Sequence, residues 1–428
     1  MRQRAEEATS SEPAAAVDAV GSKPPRVLLI STMPWMFPAR LAASFHALGF
    51  HVDAVCHPGH PMRYLKHPIR LHRLGWLAEA ASIRTAIEAS QPDAIVPCDD
   101  PAVGALHSLH SNRRLKHLGV LIERSLGDPA CFLTTERRSA LVQLARSMGL
   151  LVPRSETITG TRTLAATAAR IGYPCVLKRD LTWSGYGTEV VTSEPGLQKA
   201  WSRAVGWKAG LRAGRATLRD RRPRTIIDWL TRGSIEAQEF VPGVPANRAV
   251  LCREGKVVAG LSVEALHTAY AGGPASVVRV IDNTEMSQTV EALVSKLGLS
   301  GFCGFDFLLS GSGRAFLLEL NPRATPVAHL PVADGTHLPS AFYREVTGAI
   351  PLSQVAPIQS ELIALFPTEW KRDRASPFLK TAHHDLPSGE PALVEAGLKG
   401  RPEGSTGSRL SAMRAGFRSN RAPSRKPS

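Results

Sequence analysis

The sequence has 428 residues, too many for one compact core, so two or three domains are expected, and its 43% hydrophobic content is that of a soluble globular protein. No run approaches the ~18 apolar residues of a membrane span, and the first 23 residues lack the apolar centre of a signal peptide; a cytoplasmic, non-membrane protein is expected. The net charge of +15 is unevenly placed: residues 201–224 hold eight basic side chains against Asp220, and residues 399–428 hold eight against Glu403, so the remainder is close to neutral and is not itself a nucleic-acid-binding body.

Residues 1–24 are expected to be disordered. Residues 26–32 (RVLLIST) then read as a buried parallel strand, followed by a loop with Pro34 and Pro38 and a helix through Leu41, Phe45 and Leu48 that Gly49 ends. Residues 51–56 form a second strand, 76–90 a helix, 93–97 a third strand and 101–109 a further helix. This alternation predicts a doubly wound parallel α/β domain over residues 25–127. It lacks the G-x-G-x-x-G turn of a dinucleotide site, although the loop 31–40 offers a ligand crevice. His57/His60 and His107/His110 have helical spacing for a metal, but no third ligand stands out and they read as surface or packing residues. The six cysteines (Cys56, Cys98, Cys131, Cys175, Cys252, Cys303) are spread singly, mostly in apolar runs, and read as reduced core residues.

A second unit, 128–350, opens with a helix from Thr134 to Met148 and a strand at 152–158. After a helix at 161–171, residues 173–178 form a strand that finishes on Lys178. The small-residue turn that follows, with Ser184, Gly185, Tyr186 and Gly187, leads into a strand at 189–192. Glycines let backbone N–H groups approach phosphate oxygens, and a nearby lysine supplies the countercharge. Residues 234–240 (SIEAQEF) are a strand running into Val241-Pro242-Gly243. Residues 247–252 and 256–263 pair around Glu254-Gly255, and 276–281 is a strand carrying Arg279, followed by a helix at 284–297.

Residues 301–323 (GFCGFDFLLSGSGRAFLLELNPR) are the most informative stretch. Two apolar runs flank a turn centred on Ser312-Gly313, which predicts a β-hairpin in which Asp306 faces Glu319, with Cβ atoms roughly 5 Å apart. Asn321 shares their face, while Phe305, Phe307, Leu318 and Leu320 are expected on the other. Two opposed carboxylates repel unless one is protonated or a cation sits between them. With an amide oxygen beside them they suit a hard cation such as Mg²⁺.

The order of these motifs resembles the ATP-grasp superfamily of ATP-dependent carboxylate ligases over roughly residues 130–345. The resemblance is carried by the lysine of VLKRD, the SGYG loop, the hinge AQEFVPG, then DFLL and LLELNPR. It implies an ATP-grasp fold behind a pre-ATP-grasp-like domain, with ATP and Mg²⁺ as cofactors and Mn²⁺ as an alternative. Lys178 would hold the phosphates, Ser184, Gly185, Tyr186 and Gly187 would cover them, and Glu239, Phe240 and Val241 would frame the adenine. Asp306, Glu319 and Asn321 would hold the metal, and Arg323 would stabilise an acyl phosphate or tetrahedral oxyanion, with a structural ion pair as its other reading. Arg279 is the remaining candidate for a γ-phosphate contact, since no basic residue precedes Asp306 on its strand. The chain departs from the family pattern at Gln238, where a charged hinge residue is common, and at Pro245 and Asn247, which occupy the neighbourhood of the usual ribose-binding acid.

The implied reaction is activation of a small-molecule carboxylate as an acyl phosphate, then attack by an amine or similar nucleophile, a chemistry of positioning and charge neutralisation. Two alternatives stand beside it: a carboxylase-type enzyme working through carboxyphosphate, whose biotin carrier would be a separate protein, and a nucleotide-binding regulatory protein without turnover. Residues 351–398, with a short strand near 361–367 and the pair His383-His384, are expected to pack on the ATP-grasp body, and 399–428 to be a disordered basic tail. In the stretch 201–224, Lys208, Arg212, Arg215, Arg219 and Arg222 share one helix face, which fits steering of an anionic ligand or a plain solvated surface. RNA binding there is poorly supported, because Trp201 and Trp207 are the only aromatics.

Overall fold

The computed structural model describes residues 23–67, 69–75, 78–179, 188–205, 235–270, 272–351 and 353–399. The loop 184–187, the basic stretch from residue 206 to 224 and the tail from residue 400 onward lie outside the described residues.

Strands β1 (Arg26–Ser31), β2 (His51–Cys56), β3 (Arg70–Arg73) and β4 (Ala94–Pro97) form a parallel sheet in the order β3-β2-β1-β4. The run VLLI in β1 is continuous because both faces are covered: Val27 and Leu29 enter one core, Leu28 and Ile30 another. Strand β3 was not expected from the sequence. It is a four-residue edge strand of mostly exposed side chains (RLHR), so no hydrophobic pattern marks it. The histidine pairs pack as expected. His60 is buried against the loop after β1, His107 stacks on Phe132 at 3.9 Å, and His110 meets Glu123 at 2.7 Å.

Strands β5 (Ser155–Ile158), β6 (Cys175–Arg179), β7 (Thr188–Val191) and β8 (Ile235–Glu239) form a small antiparallel sheet, order β5-β8-β6-β7, with the helices Thr161–Ile171 and Glu194–Val205 packed on it. The large sheet has the order β13-β12-β9-β10-β11-β14-β15, built from β9 (Gly243–Arg253), β10 (Lys256–Thr268), β11 (Ala275–Val280), β12 (Gly301–Ser310), β13 (Ala315–Asn321), β14 (Leu362–Ala364) and β15 (His383–His384). Glu254 and Gly255 both have positive φ (48° and 78°), the backbone a two-residue hairpin loop between β9 and β10 requires.

One face of the large sheet packs on the helix Thr284–Leu297 through Phe305, Phe307 and Leu317. The other shares a core with the N-terminal region through the helices Phe37–Ala47 and Leu338–Thr347, where Phe45, Phe50, Phe302 and Phe342 form one aromatic cluster with centroids 5.2–6.0 Å apart. The segment after residue 351 extends the large sheet through β14 and also reaches the N-terminal region, where Arg40 binds Asp385; His329, from the stretch after β13, holds the same carboxylate.

Two local expectations are corrected. The single helix expected from Thr134 to Met148 is broken at Arg137 (φ −111°, ψ 114°) into Phe132–Glu136 and Arg138–Ser147. The two pieces bury different faces: Phe132 joins the N-terminal core, whereas Leu141 and Ala145 join the core under the large sheet. In the hairpin, the pairing slips by one residue between Asp306 and Phe307, so Leu317, not Leu318, points into the core.

Candidate active site

The hairpin places Asp306 directly opposite Glu319, and β9 places Asn247 opposite Asp306 on its other side. A hydrogen-bonded line results. Asn247 Nδ2 donates to Asp306 Oδ1 at 2.7 Å, and Asn321 Nδ2 donates to Asp306 Oδ2 at 3.0 Å. Arg323 Nη2 donates to Asn321 Oδ1 at 2.8 Å, and Arg323 Nε donates to Asp100 Oδ1 at 2.7 Å. Gly304, facing Asn321 across the hairpin, makes room for this packing: a Cβ there would lie 2.2 Å from the Thr325 methyl.

Desolvation raises the pKa of Asp306, with the amides and Arg323 working against it. Desolvation also raises Glu319, and Asp306 adds to the shift, while Arg138 counters it from 3.5 Å. Among the described residues no group of three or more His, Cys, Asp or Glu side chains is placed to hold a metal ion. The donor set here is two carboxylates and an amide oxygen, hard oxygen ligands that fit Mg²⁺, which uses one or two carboxylates and completes its shell with water and phosphate oxygens.

Lys178, from the small sheet, reaches the same region. It pairs in register with Glu236, and its ammonium is pushed down from 10.5 to about 8 by desolvation first and then by Arg138, with Glu319 and Glu236 opposing. The chain crosses between the two sheets at residues 240–242. There Glu239 is held by Arg154, Phe240 is exposed and Val241 is buried. Gly243 then lies so close to β12 that a Cβ would meet the Leu309 carbonyl at 2.5 Å.

The N-terminal domain closes the site from a third side. Buried Asp99 caps the helix Asp100–His110 and accepts hydrogen bonds from Thr32 N at 2.6 Å, Thr32 Oγ1 at 2.8 Å and Met33 N at 3.0 Å. The loops after β1 and β4 are thereby tied together at the point where the strand order reverses, the place where open α/β sheets bind ligands. The Trp35 ring of that loop lies 5.7 Å from the Arg323 guanidinium carbon. Burial alone would lower the pKa of Arg323; Asp100, Asp306 and Asp99 outweigh it and raise it.

Asp306, Glu319, Asn321, Arg323 and Lys178 thus gather in one place. Arg279 does not. It forms an ion pair with Glu264, and the register from Glu264 through Ala246 to Phe307 puts it on the sheet face opposite the carboxylates. Sequence reasoning missed Arg138, which only the break at Arg137 brings to a helix start, and Asp100 and Asn247, whose partners lie far away in sequence.

A family model described as an ATP-grasp domain matches residues 220–327, the stretch holding β8 to β13 with Asp306, Glu319 and Asn321. The chain carries an ATP-grasp domain. Curated relatives extend the likeness beyond this stretch. A formate-dependent phosphoribosylglycinamide formyltransferase from Burkholderia lata is 28% identical over 292 residues, 66% of this chain and 64% of the relative. The carbamoyl phosphate synthase large chain of Gemmatimonas aurantiaca is 24% identical over 266 residues, 61% of this chain and 22% of the relative. The chain therefore matches less than two thirds of the length of these relatives. Among solved structures, the N5-carboxyaminoimidazole ribonucleotide synthetase from Thermotoga maritima superposes with a TM-score of 0.53 at 14% identity, covering 78% of each chain. The biotin carboxylase domain of 2-oxoglutarate carboxylase from Hydrogenobacter thermophilus, solved with MgADP and bicarbonate, gives 0.55 at 14% identity, covering 78% of this chain and 72% of that one. At such identities the likeness shows the fold: an ATP-grasp domain behind a parallel α/β domain. No described helix is long and apolar enough to cross a membrane.

Proposed function

We propose that the protein is an ATP- and Mg²⁺-dependent ligase that activates a small-molecule carboxylate as an acyl phosphate and passes the acyl group to an amine or similar nucleophile. The observation that carries this reading is the convergence of Lys178, Arg138 and Arg323 on the opposed pair Asp306 and Glu319, where the two sheets and the N-terminal domain meet.

In this reading the nucleotide lies between the small and large sheets, with residues 239–241 against the base and Lys178 and Arg138 against the phosphates. A magnesium ion held by Asp306, Glu319 and Asn321 would neutralise charge on the transferring phosphoryl group. Lys178 and Arg138 hold the phosphate oxygens in line with the incoming carboxylate, the contribution phosphoryl transfer most needs from a protein. The substrate carboxylate enters beside Trp35 and Asp100 and meets Arg323, which steadies the acyl phosphate and then the tetrahedral oxyanion. Residues 25–127 are read as the substrate-facing domain and 128–350 as the ATP-grasp unit.

The experiment is an ADP-release assay with ATP, Mg²⁺ and pooled carboxylates and amines, followed by ¹⁸O-labelled carboxylate. Appearance of ¹⁸O in the released phosphate is expected. ADP release driven by bicarbonate alone would replace this reading with carboxylation through carboxyphosphate, and no carboxylate-dependent release from any pool would leave nucleotide binding without turnover.

A further inference from the structure

Asp306 is an acceptor-only group gripped on both oxygens, and its two amide partners are not equivalent. Asn321 has a second use for its carbonyl oxygen, which accepts from Arg323. Asn247 has none among the described residues: its Oδ1 is sealed from solvent and unpartnered by them, while its Nδ2 serves both Asp306 Oδ1 at 2.7 Å and the Phe305 carbonyl at 3.3 Å. Turning the Asn247 amide would set its oxygen against two acceptors, so its orientation is fixed by chemistry rather than by choice of rotamer. Asn321, by contrast, must turn its amide before its oxygen can serve a cation, because its N–H now points at Asp306.

We infer that Asn247 is a positioning residue for the cation site: its N–H holds Asp306 Oδ1 and leaves Oδ2 as the oxygen exchanged between Asn321 and a divalent ion. The inference rests on the cation site proposed above. It also accounts for a neutral side chain at this position. A carboxylate here would be a third like charge beside Asp306 and Glu319, directly opposite the first of them in register. An amide instead supplies the donor that keeps the Asp306 carboxylate in one orientation. Outer hydrogen-bond partners of this kind are typically worth about 10- to 100-fold in metal affinity.

The test is binding of Mn²⁺ alone to the full chain, without nucleotide, followed by the electron paramagnetic resonance signal of the free ion. Asn247→Ala removes the donor, and Asn247→Leu removes it while keeping the branched side-chain shape. Both are expected to weaken Mn²⁺ binding about 10- to 100-fold at temperatures where thermal melts show the protein folded. A residue that merely supports the fold would lower the melting temperature and leave Mn²⁺ affinity where it was. Wild-type affinity in folded Asn247→Leu, with binding lost in Asp306→Ala, overturns the role of Asn247 and leaves the cation site standing. Failure of both Asn247 variants to fold also overturns it, by assigning the residue to the fold alone. Unchanged Mn²⁺ binding in Asp306→Ala and Glu319→Ala overturns the cation site itself.

Discussion

Arg323 and Asp100, 223 residues apart in sequence, are joined by an Nε–H···Oδ1 hydrogen bond of 2.7 Å, and the same guanidinium holds Asn321 at 2.8 Å. One side chain thus connects the candidate cation site to the helix that begins at the end of β4. Asp100 keeps 45% of its side-chain surface exposed while Arg323 keeps 11%, so the contact is solvated on the N-terminal domain's side and enclosed on the other. Arg323→Ala is expected to lower turnover about 10²- to 10³-fold, the range for losing a donor to a developing oxyanion. Arg323→Lys, which keeps the charge but not the fork, should recover only part of it. Asp100→Asn should cost on the order of 1 kcal/mol of stability or less, read from denaturant melts, because the pair is half in water. Full activity in Arg323→Ala would return this residue to a purely structural role.

The carboxylates give a prediction with opposite signs for activity and stability. Asp306→Ala, Glu319→Ala and Asn321→Ala are each expected to cut Mg-ATP-dependent turnover on the order of 100-fold or more. Folded-state pKa values raised above the ordinary carboxylate range mean that ionised Asp306 and Glu319 cost stability near neutral pH, a cost relieved as the pH falls and they take up protons. Glu319→Gln should therefore melt no lower than the wild type in metal-free buffer while losing activity. A lower melt with full activity would contradict both halves.

Lys178 supplies a pH test. Its ammonium is pushed down to about 8 in the folded protein against 10.5 ordinarily, so ATP affinity measured in EDTA should fall as the pH rises above about 8. Linkage fixes the sign for stability as well: the unfavourable buried charge is fully present below about 8 and is relieved between about 8 and 10.5. Lys178→Arg should remove that fall, and Lys178→Ala should weaken ATP binding far more than Lys256→Ala, which changes an exposed lysine at the start of β10. Equal effects of the two alanine variants would remove Lys178 from the site.

Arg138 is tested through Lys178. Because it lowers the Lys178 pKa, Arg138→Ala should move the fall in ATP affinity to higher pH while weakening binding at neutral pH. An unmoved profile would mean that Arg138 serves only Glu319.

Much of the site was legible in the sequence because it lies on two adjacent strands. Alternation with period two fixed that Asp306, Glu319 and Asn321 share a face, and the glycine-rich turn fixed which residue opposes which, so the pairing of Asp306 with Glu319 followed from the sequence alone. The same local logic located β1, β2 and β4 of the N-terminal sheet and the β9–β10 hairpin. It failed one residue beyond the carboxylates, where the slip that sends Leu317 rather than Leu318 into the core depends on packing against the helix Thr284–Leu297. It failed also at β3, an exposed edge, and at Arg137, where one apparent helix divides to serve two cores.

Tertiary structure decided the rest. Asn247 lies 59 residues from Asp306, and no periodicity within β9 could name its partner. Arg279 illustrates the reverse: a basic residue on the right kind of strand is turned away from the site because its register with Glu264 assigns it to the other face of the sheet. Local sequence sets which side chains share a face, since that needs only the strand period. Which strands become neighbours is set by the burial of whole faces against one another, and that is a property of the assembled cores.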